Sequence, residues 1–462
     1  MTDTIQHPKT LRQRDIVLFT VSAILLPDTL ASVASAGAAS ISWWLILGLV
    51  FLLPFGLISA EMGCTYPEQG GIYAWVRDAF GGRWASRVTW CYWINVTVWM
   101  PAVYTLCAGI FNQLFELQAG LLMQVLIAVA LTWLTVALNI VDLRYGKWIP
   151  NIGGVVKVLL FAGIIIGAFR YLARHEMANP MTIETLAPRW GEGLQYLSAI
   201  IYGMLGFELV SAGSEEMRNP ARDVPRAILY SGVVVLLLYV LGTVAILSAI
   251  PTAEINLVEG LIDTLRLFFA DLSMGATLVF ALGIFTLIAV FSSGVTWALG
   301  SNRAVAEAAL EGELPAIFAI ETRKAGTPLG AAIMMGIAST AMLLLYAFLA
   351  RSNEDLFWAL FAFSGVLFLL PYLGMMLAFL RMRRIDGDRH RPYRVPGGTA
   401  VAACMAWTCI LILSIAMALF MYTPGEGPVW EVIIGVIALV VLGECVIRYS
   451  ERQRASAGVE GI

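Results

Sequence analysis

Charge is missing from this chain in long blocks, and that limits what it can fold into more than any motif does. Stretches of roughly 20 residues with little or no Asp, Glu, Lys or Arg recur from end to end. At ~1.5 Å per helical residue, each is long enough to cross a hydrocarbon layer about 30 Å thick. Twelve such runs occur, near residues 16–37, 41–64, 87–115, 119–141, 148–173, 194–215, 225–250, 272–305, 327–350, 354–381, 397–421 and 428–449. Hydrophobic residues make up 59% and charged residues 13%, against about 45–50% and about 25% in soluble domains. One soluble core cannot bury that surplus, and no segment between runs is long enough for an independent domain. Soluble enzymes, nucleic-acid binders and secreted disulfide scaffolds are excluded. The expected class is an all-α integral membrane protein, with the lipid bilayer as partner and no nucleic acid.

If sides alternate across the twelve runs, 23 of the 29 Lys and Arg fall on the side of the N-terminus. Five (Arg170, Arg174, Arg189, Arg266 and Arg351) fall on the other side, and Lys157 lies inside a run. The positive-inside rule then places both termini in the cytoplasm, which predicts a multi-pass protein of the cytoplasmic (inner) membrane. A miscounted run would scramble this segregation. Residues 1–15 lack the apolar stretch of a signal peptide, so the first run is expected to be retained. The six cysteines lie in or beside apolar runs with no CxxC spacing, as small core or lipid-facing residues do. His7, His175 and His390 lie outside the runs, so no intramembrane histidine relay and no metal site is expected.

Transporters with twelve spans are commonly built as six plus six, or as five plus five plus two. The first usually has a long loop between halves, whereas residues 216–224 here number nine. In the second, an odd number of crossings inverts the second repeat, and each repeat tends to begin with a helix broken at mid-membrane. Spans 1 and 6 are then the interrupted ones. Span 1 carries Pro27 and Asp28 within AILLPDTLASVASAG; span 6 carries Gly203, Gly206, Glu208 and Gly213 within YGMLGFELVSAG. Proline removes a donor and clashes with the carbonyl four residues back. Breakers alone would also suit a kink or close helix packing, but an acid beside the breaker in both helices points to a binding site. The expected divisions are a cytoplasmic N-terminus (1–15), a first five-helix repeat (16–173), a second, inverted one (194–381), helices 11 and 12 (397–449) and a cytoplasmic C-terminus (450–462).

A charge at the bilayer centre costs about 2.5–3.5 kcal/mol, so it needs a partner or a wet cavity. Asp28 lies roughly 18 Å into span 1, Lys157 at similar depth in span 5, and Glu208 somewhat past the middle of span 6. Glu61, near the end of span 2, is shallow enough to snorkel and is read as structural. The three deep charges fit two arrangements. One is a helix-locking salt bridge, such as Asp28 with Lys157. In the other, an acid neutralises a substrate ammonium while Lys157 or Glu208 exchanges a proton. Most of the 14 tryptophans sit near span ends as interfacial anchors. Tyr202 and Trp297 lie deeper, where their faces suit a cationic substrate as well as ordinary packing.

These residues resemble the amino acid–polyamine–organocation (APC) superfamily of transporters, which have the LeuT-type inverted-repeat fold. The similarity spans about residues 15–395. It rests on AEMGCTYPEQGGIYAWVRDAFG (60–81), GFELVSAGSEEMRNPARDVPRAI (206–228), LGSNRAVAEAALEGELP (299–315) and AGTPLGAAI (325–333), in that order. The resemblance implies secondary transport of amino acids, amines or polyamines, with no ATP site. It puts Tyr202, Glu208 and Trp297 where arginine/agmatine exchangers carry a gating aromatic, a gating acid and an occluding tryptophan, with Tyr92 close to a further gate aromatic. Lys157, in NIGGVVKVLLFAG, resembles the lysine of proton-coupled members that stands in for sodium. Ser292 and Ser293 offer oxygens to a sodium site, so sodium is the lesser alternative.

Span 1 departs from the family pattern. Most members have a glycine–serine–glycine stretch whose bare N–H groups hold the substrate α-carboxylate; here the chain reads Leu25-Leu26-Pro27-Asp28. Leucine side chains obstruct approach, Pro27 has no N–H, and Asp28 repels a carboxylate. Eukaryotic polyamine-uptake members are similar in carrying an acid there. The expected substrate is an organic amine or polyamine, with a neutral or aromatic amino acid as the alternative. Its expected contacts are Pro27, Asp28, Thr29, Tyr202, Gly206, Phe207, Ser293 and Trp297. The expected gates are Tyr92, Tyr202, Glu208 and Trp297, with proton coupling through Lys157 and Glu208. Proton symport or substrate/product antiport by alternating access needs no cofactor beyond the gradient or counter-substrate. A channel would not need paired broken helices with occluding aromatics, and a sensor would carry an output domain. A non-transporting subunit partner is the other such class. A membrane enzyme would need a nucleophile–base pair or metal ligands. A monomer or a homodimer is expected, with spans 11 and 12 the natural dimer contact.

Overall fold

The computed structural model describes residues 17–456 apart from 18, 19, 22, 68–70, 142–147, 189–195, 209–219, 324, 325 and 426. In chain order the main helices are α1 (Asp28–Ala34), α2 (Ala39–Thr65), α3 (Ile72–Phe80), α4 (Gly82–Leu114), α5 (Leu121–Ile140), α6 (Trp148–Leu172) and α7 (Leu197–Tyr202). They continue with α8 (Pro220–Ala249), α9 (Gly260–Phe269), α10 (Gly275–Leu310), α11 (Leu329–Ala347), α12 (Asn353–Ile385), α13 (Gly398–Met421) and α14 (Trp430–Ser456). Among the described residues ten helices are long and apolar enough to cross a membrane: all of these except α1, α3, α7 and α9. A lipid environment leaves backbone polar groups no partner but their own helix, which is why ten of the charge-free runs become long helices. The described strands are confined to a hairpin, Tyr422–Thr423 against Gly427–Pro428.

The helix α4 is buried almost all round and α12 largely so, whereas α13 and α14 turn most of their apolar surface outward. Small residues set the closest approaches. At Gly153 of α6, the hydroxyl of Ser292 on α10 lies where a side chain would begin; Gly163 and Gly167 accept Leu282 and Phe268 in the same way. Polar side chains then tie the scaffold. Trp93 Nε1 donates to Asn302 Oδ1 (3.0 Å), Asn302 Nδ2 to Asn139 Oδ1 (3.4 Å), and Ser339 Oγ to the Thr97 carbonyl (2.6 Å). These bonds join α4, α5, α10 and α11.

Glu61 does not snorkel. It is 1% exposed and accepts from Arg383 Nε (2.8 Å), Arg383 Nη2 (2.5 Å) and the Val395 amide (2.7 Å), with Arg391 Nε at 3.2 Å. The expectation fails because the segment after α12 folds back over the end of α2 and seals its carboxylate from water. On the same face, Tyr73 of α3 donates to Glu311 (2.5 Å) and Glu313 (3.0 Å), and Arg77 pairs with Glu311. At the other end of α6, Arg170 and Arg174 grip Asp271, and the Arg170 bond above all holds its carboxyl down at about 2.

The first segment expected to be interrupted is, and in the second the helix ends where a break is expected, residues 209–219 lying outside the described ones. The first helix stops at Ile24; Leu25, Leu26 and Pro27 are not helical, and α1 restarts at Asp28. In the second, α7 ends in a turn at Gly203–Met204, and Gly206 takes φ +119°, a conformation open to glycine but strained for other residues. Gly213 lies outside the described residues.

Candidate functional site

A broken helix leaves amides and carbonyls without intrahelical partners, and in an apolar interior each must be met. The first break is met by Tyr239 of α8. Its hydroxyl accepts from the Leu26 amide (2.8 Å) and donates to the Ile24 carbonyl (2.8 Å). Trp44 of α2 stacks on the Tyr239 ring at 4.4 Å and donates from Nε1 to Thr243 Oγ1 (3.1 Å), which fixes the phenol. The same hydroxyl lies 3.3 Å from where a side chain at Gly203 would start, so it touches both breaks. Thr29 Oγ1 donates to the Leu26 carbonyl (2.9 Å), and Trp297 Nε1 of α10 reaches the Ala23 carbonyl (3.3 Å). The two breaks meet directly: a Cβ on Gly206 would sit 3.1 Å from Ile24 and 3.5 Å from Trp297.

Replacing Tyr239 by Phe leaves the Leu26 amide and the Ile24 carbonyl buried without their partner. A cost of about 1–3 kcal/mol per unmet group predicts a clearly lower melting temperature and reduced transport. An unchanged melting curve for purified Tyr239→Phe would show that the hydroxyl holds nothing.

Around the break lies a closed set of rings. Trp297 lies 6.3 Å from Tyr92, 6.4 Å from Trp99 and 5.3 Å from Phe368 of α12. Tyr202 packs on Phe361 and Phe368. Glu208, 4% exposed, accepts from the Tyr372 hydroxyl at 2.8 Å. The structure thus brings together Tyr92, Tyr202, Gly206, Glu208 and Trp297, with Pro27 and Thr29 buried at the first break. Asp28 begins α1; its side chain lies outside the described residues.

Three further expected residues make none of these described ring contacts. Phe207 turns toward Gly56 and Gly232, against α2 and α8. Ser293 Oγ, like Ser292 Oγ, donates to the Ala289 carbonyl of its own helix (3.0 and 2.9 Å). Lys157 is fully buried, one turn along α6 from Gly153, on the side that meets α10. Tyr239, Phe368 and Tyr372 complete the site and were not expected. Tyr372 had a weak signal, an aromatic directly after a mid-span proline; Tyr239 stands in the featureless run VVVLLLYVLGT.

Comparison with known proteins fits this geometry. A probable agmatine/putrescine antiporter, AguD, of Lactococcus lactis subsp. lactis is 31% identical over 441 residues, covering 94% of this chain and 93% of that one. An uncharacterized transporter of Legionella pneumophila is 28% identical, covering 92% of each chain. The polyamine transporter PUT1 of Oryza sativa subsp. japonica is 25% identical, over 92% of this chain and 75% of that one. A sequence profile described as amino acid permease matches residues 11–443. The chain belongs to the amino acid permease family, membrane proteins that transport rather than catalyse.

Proposed function

We propose that the chain is a secondary transporter of organic amines or polyamines, built as twelve spans in two inverted five-helix repeats plus two. It sits in the cytoplasmic membrane with both termini inside. The observation that carries the reading is the state of the first break. The Leu25 amide bonds to Val21, the Leu26 amide to Tyr239, and those of Thr29 and Leu30 to Leu26 and Pro27; Pro27 itself has none. Of these amides none is left for a carboxylate, while an acid stands at position 28. The relatives named for agmatine, putrescine and polyamines support the same substrate class.

In the proposed cycle an amine enters an outward-open cavity and its ammonium pairs with Asp28. Tyr202 and Trp297 then close over it, Tyr92 and Glu208 complete the gate, and the first-repeat bundle rocks to open the inner side. Coupling runs by proton symport or by exchange, with Lys157 and Glu208 as the proton carriers and sodium as the lesser alternative. Uptake into proteoliposomes, with polyamines, aromatic amines and amino acids competing for labelled putrescine, tests the substrate class. Competition by neutral amino acids but not by simple amines would overturn it and favour an amino acid permease. Lys157→Ala is expected to lose accumulation driven by a pH gradient while keeping binding. Intact proton-driven accumulation in that variant would exclude the lysine from coupling.

A further inference from the structure

Phe368 is the ring shared by the three aromatic partners of the site. Its centroid lies 5.3 Å from Trp297, edge-on at 82°; 4.8 Å from Tyr202; and 4.9 Å from Tyr372, edge-on at 84°. Through Trp297 it adjoins the first break, and through Tyr372 it adjoins the carboxylate of Glu208 in the second. All four rings are buried, Phe368 at 2%. Several hydroxyls on the packed helices donate to their own backbones. Ser364 donates to Phe361, Ser292 and Ser293 to Ala289, and Thr97 to Trp93. The face that Phe368 itself presents between the two breaks is carbon.

Resting on the amine reading above, we propose that Phe368 is a specificity-determining residue. Its ring packs on the methylene body of an unbranched diamine or polyamine and selects against amines with a polar group on that body. A hydroxyl or carboxylate packed on that ring loses its water and gains no donor from it, so it pays a desolvation cost that the ring does not return. A methylene chain gains by burial and leaves its ammoniums to the acids and ring faces at either end.

The test is competition against labelled putrescine (1,4-diaminobutane) by unlabelled putrescine and by its 2-hydroxy analogue. Wild type, Phe368→Leu, Phe368→Ser and Phe368→Tyr are compared in proteoliposomes. Wild type is expected to prefer putrescine by roughly tenfold to a hundredfold, the range an apolar pocket achieves against an added hydroxyl. Phe368→Leu keeps the preference. Phe368→Ser, which adds space and a donor, narrows it by about tenfold. Phe368→Tyr keeps the ring and so guards against misfolding of the serine variant; it narrows the preference in the same direction. If the variants weaken both ligands equally, the ring is packing alone and the inference is overturned while the amine reading stands. If wild type itself fails to bind putrescine, the amine reading falls and takes this inference with it.

Discussion

Asp28→Asn is expected to abolish amine binding and leave folded, monodisperse protein. Asp28 opens α1 directly after the break, where an ammonium leaving water needs a counter-charge. Asparagine is accepted near a helix N-terminus as readily as aspartate, so the local fold is expected to persist with the charge gone. Removing one partner of a desolvated charge pair costs about 2–5 kcal/mol, roughly a 30-fold or greater rise in Kd. Direct binding of labelled putrescine to purified protein measures this. Wild-type affinity in Asp28→Asn would remove the residue from the site, whatever the melting temperature.

The second large effect is on stability. Glu61→Gln keeps the shape of the side chain but leaves Arg383 and Arg391, 5% and 4% exposed, without the carboxylate between them. Breaking a buried ion pair from one side costs about 3–5 kcal/mol, because the surviving charge stays buried. A marked fall in melting temperature is expected, with loss of a single size-exclusion peak on mild heating. Arg174→Ala is the control: its pair with Asp271 is 59% exposed on the arginine side, and surface pairs contribute about 0–1 kcal/mol. Equal melting temperatures for Glu61→Gln and Arg174→Ala would mean that the sealed cluster does not hold α2 to α12.

The spanning helices were legible because lipid permits a charge-free run few other structures. The ten long helices match ten of the expected runs to within a few residues, α14 extending furthest past its own. The breaks were legible too, since Pro27 and Gly206 are among the few residues that end a helix on their own. What completes the site was not legible. Tyr239 acts through a backbone 213 positions away, and nothing in an apolar run marks one tyrosine as the partner of a distant amide. Phe207 misled for a related reason. Its neighbour Gly206 is at positive φ, which turns the chain, so residues adjacent in sequence face different helices. Depth along a helix also mispredicted Glu61, because its cover comes from Val395, 334 positions on.

The fastening of the two breaks has a mechanical consequence. Tyr239 and Trp44 bind the first break, α2 and α8 into one piece by hydrogen bonds and a ring stack. The chain of Trp93, Asn302 and Asn139 makes another piece of α4, α5 and α10. Beside these pieces the described ring contacts of the site are tilted or edge-on, with Tyr202 and Trp297 both against Phe368 of α12. Among the described hydrogen bonds, Trp297 to Ala23 ties α10 to the first break and Tyr372 to Glu208 ties α12 to the second, while Arg383 to Glu61 ties α12 to α2. Moving α10 and α12 away from the breaks has to release the first two of these. The latch is thus made by the same tryptophan and glutamate that stand at the candidate site, and on the proposed cycle a ligand drawing either one toward itself is expected to loosen it.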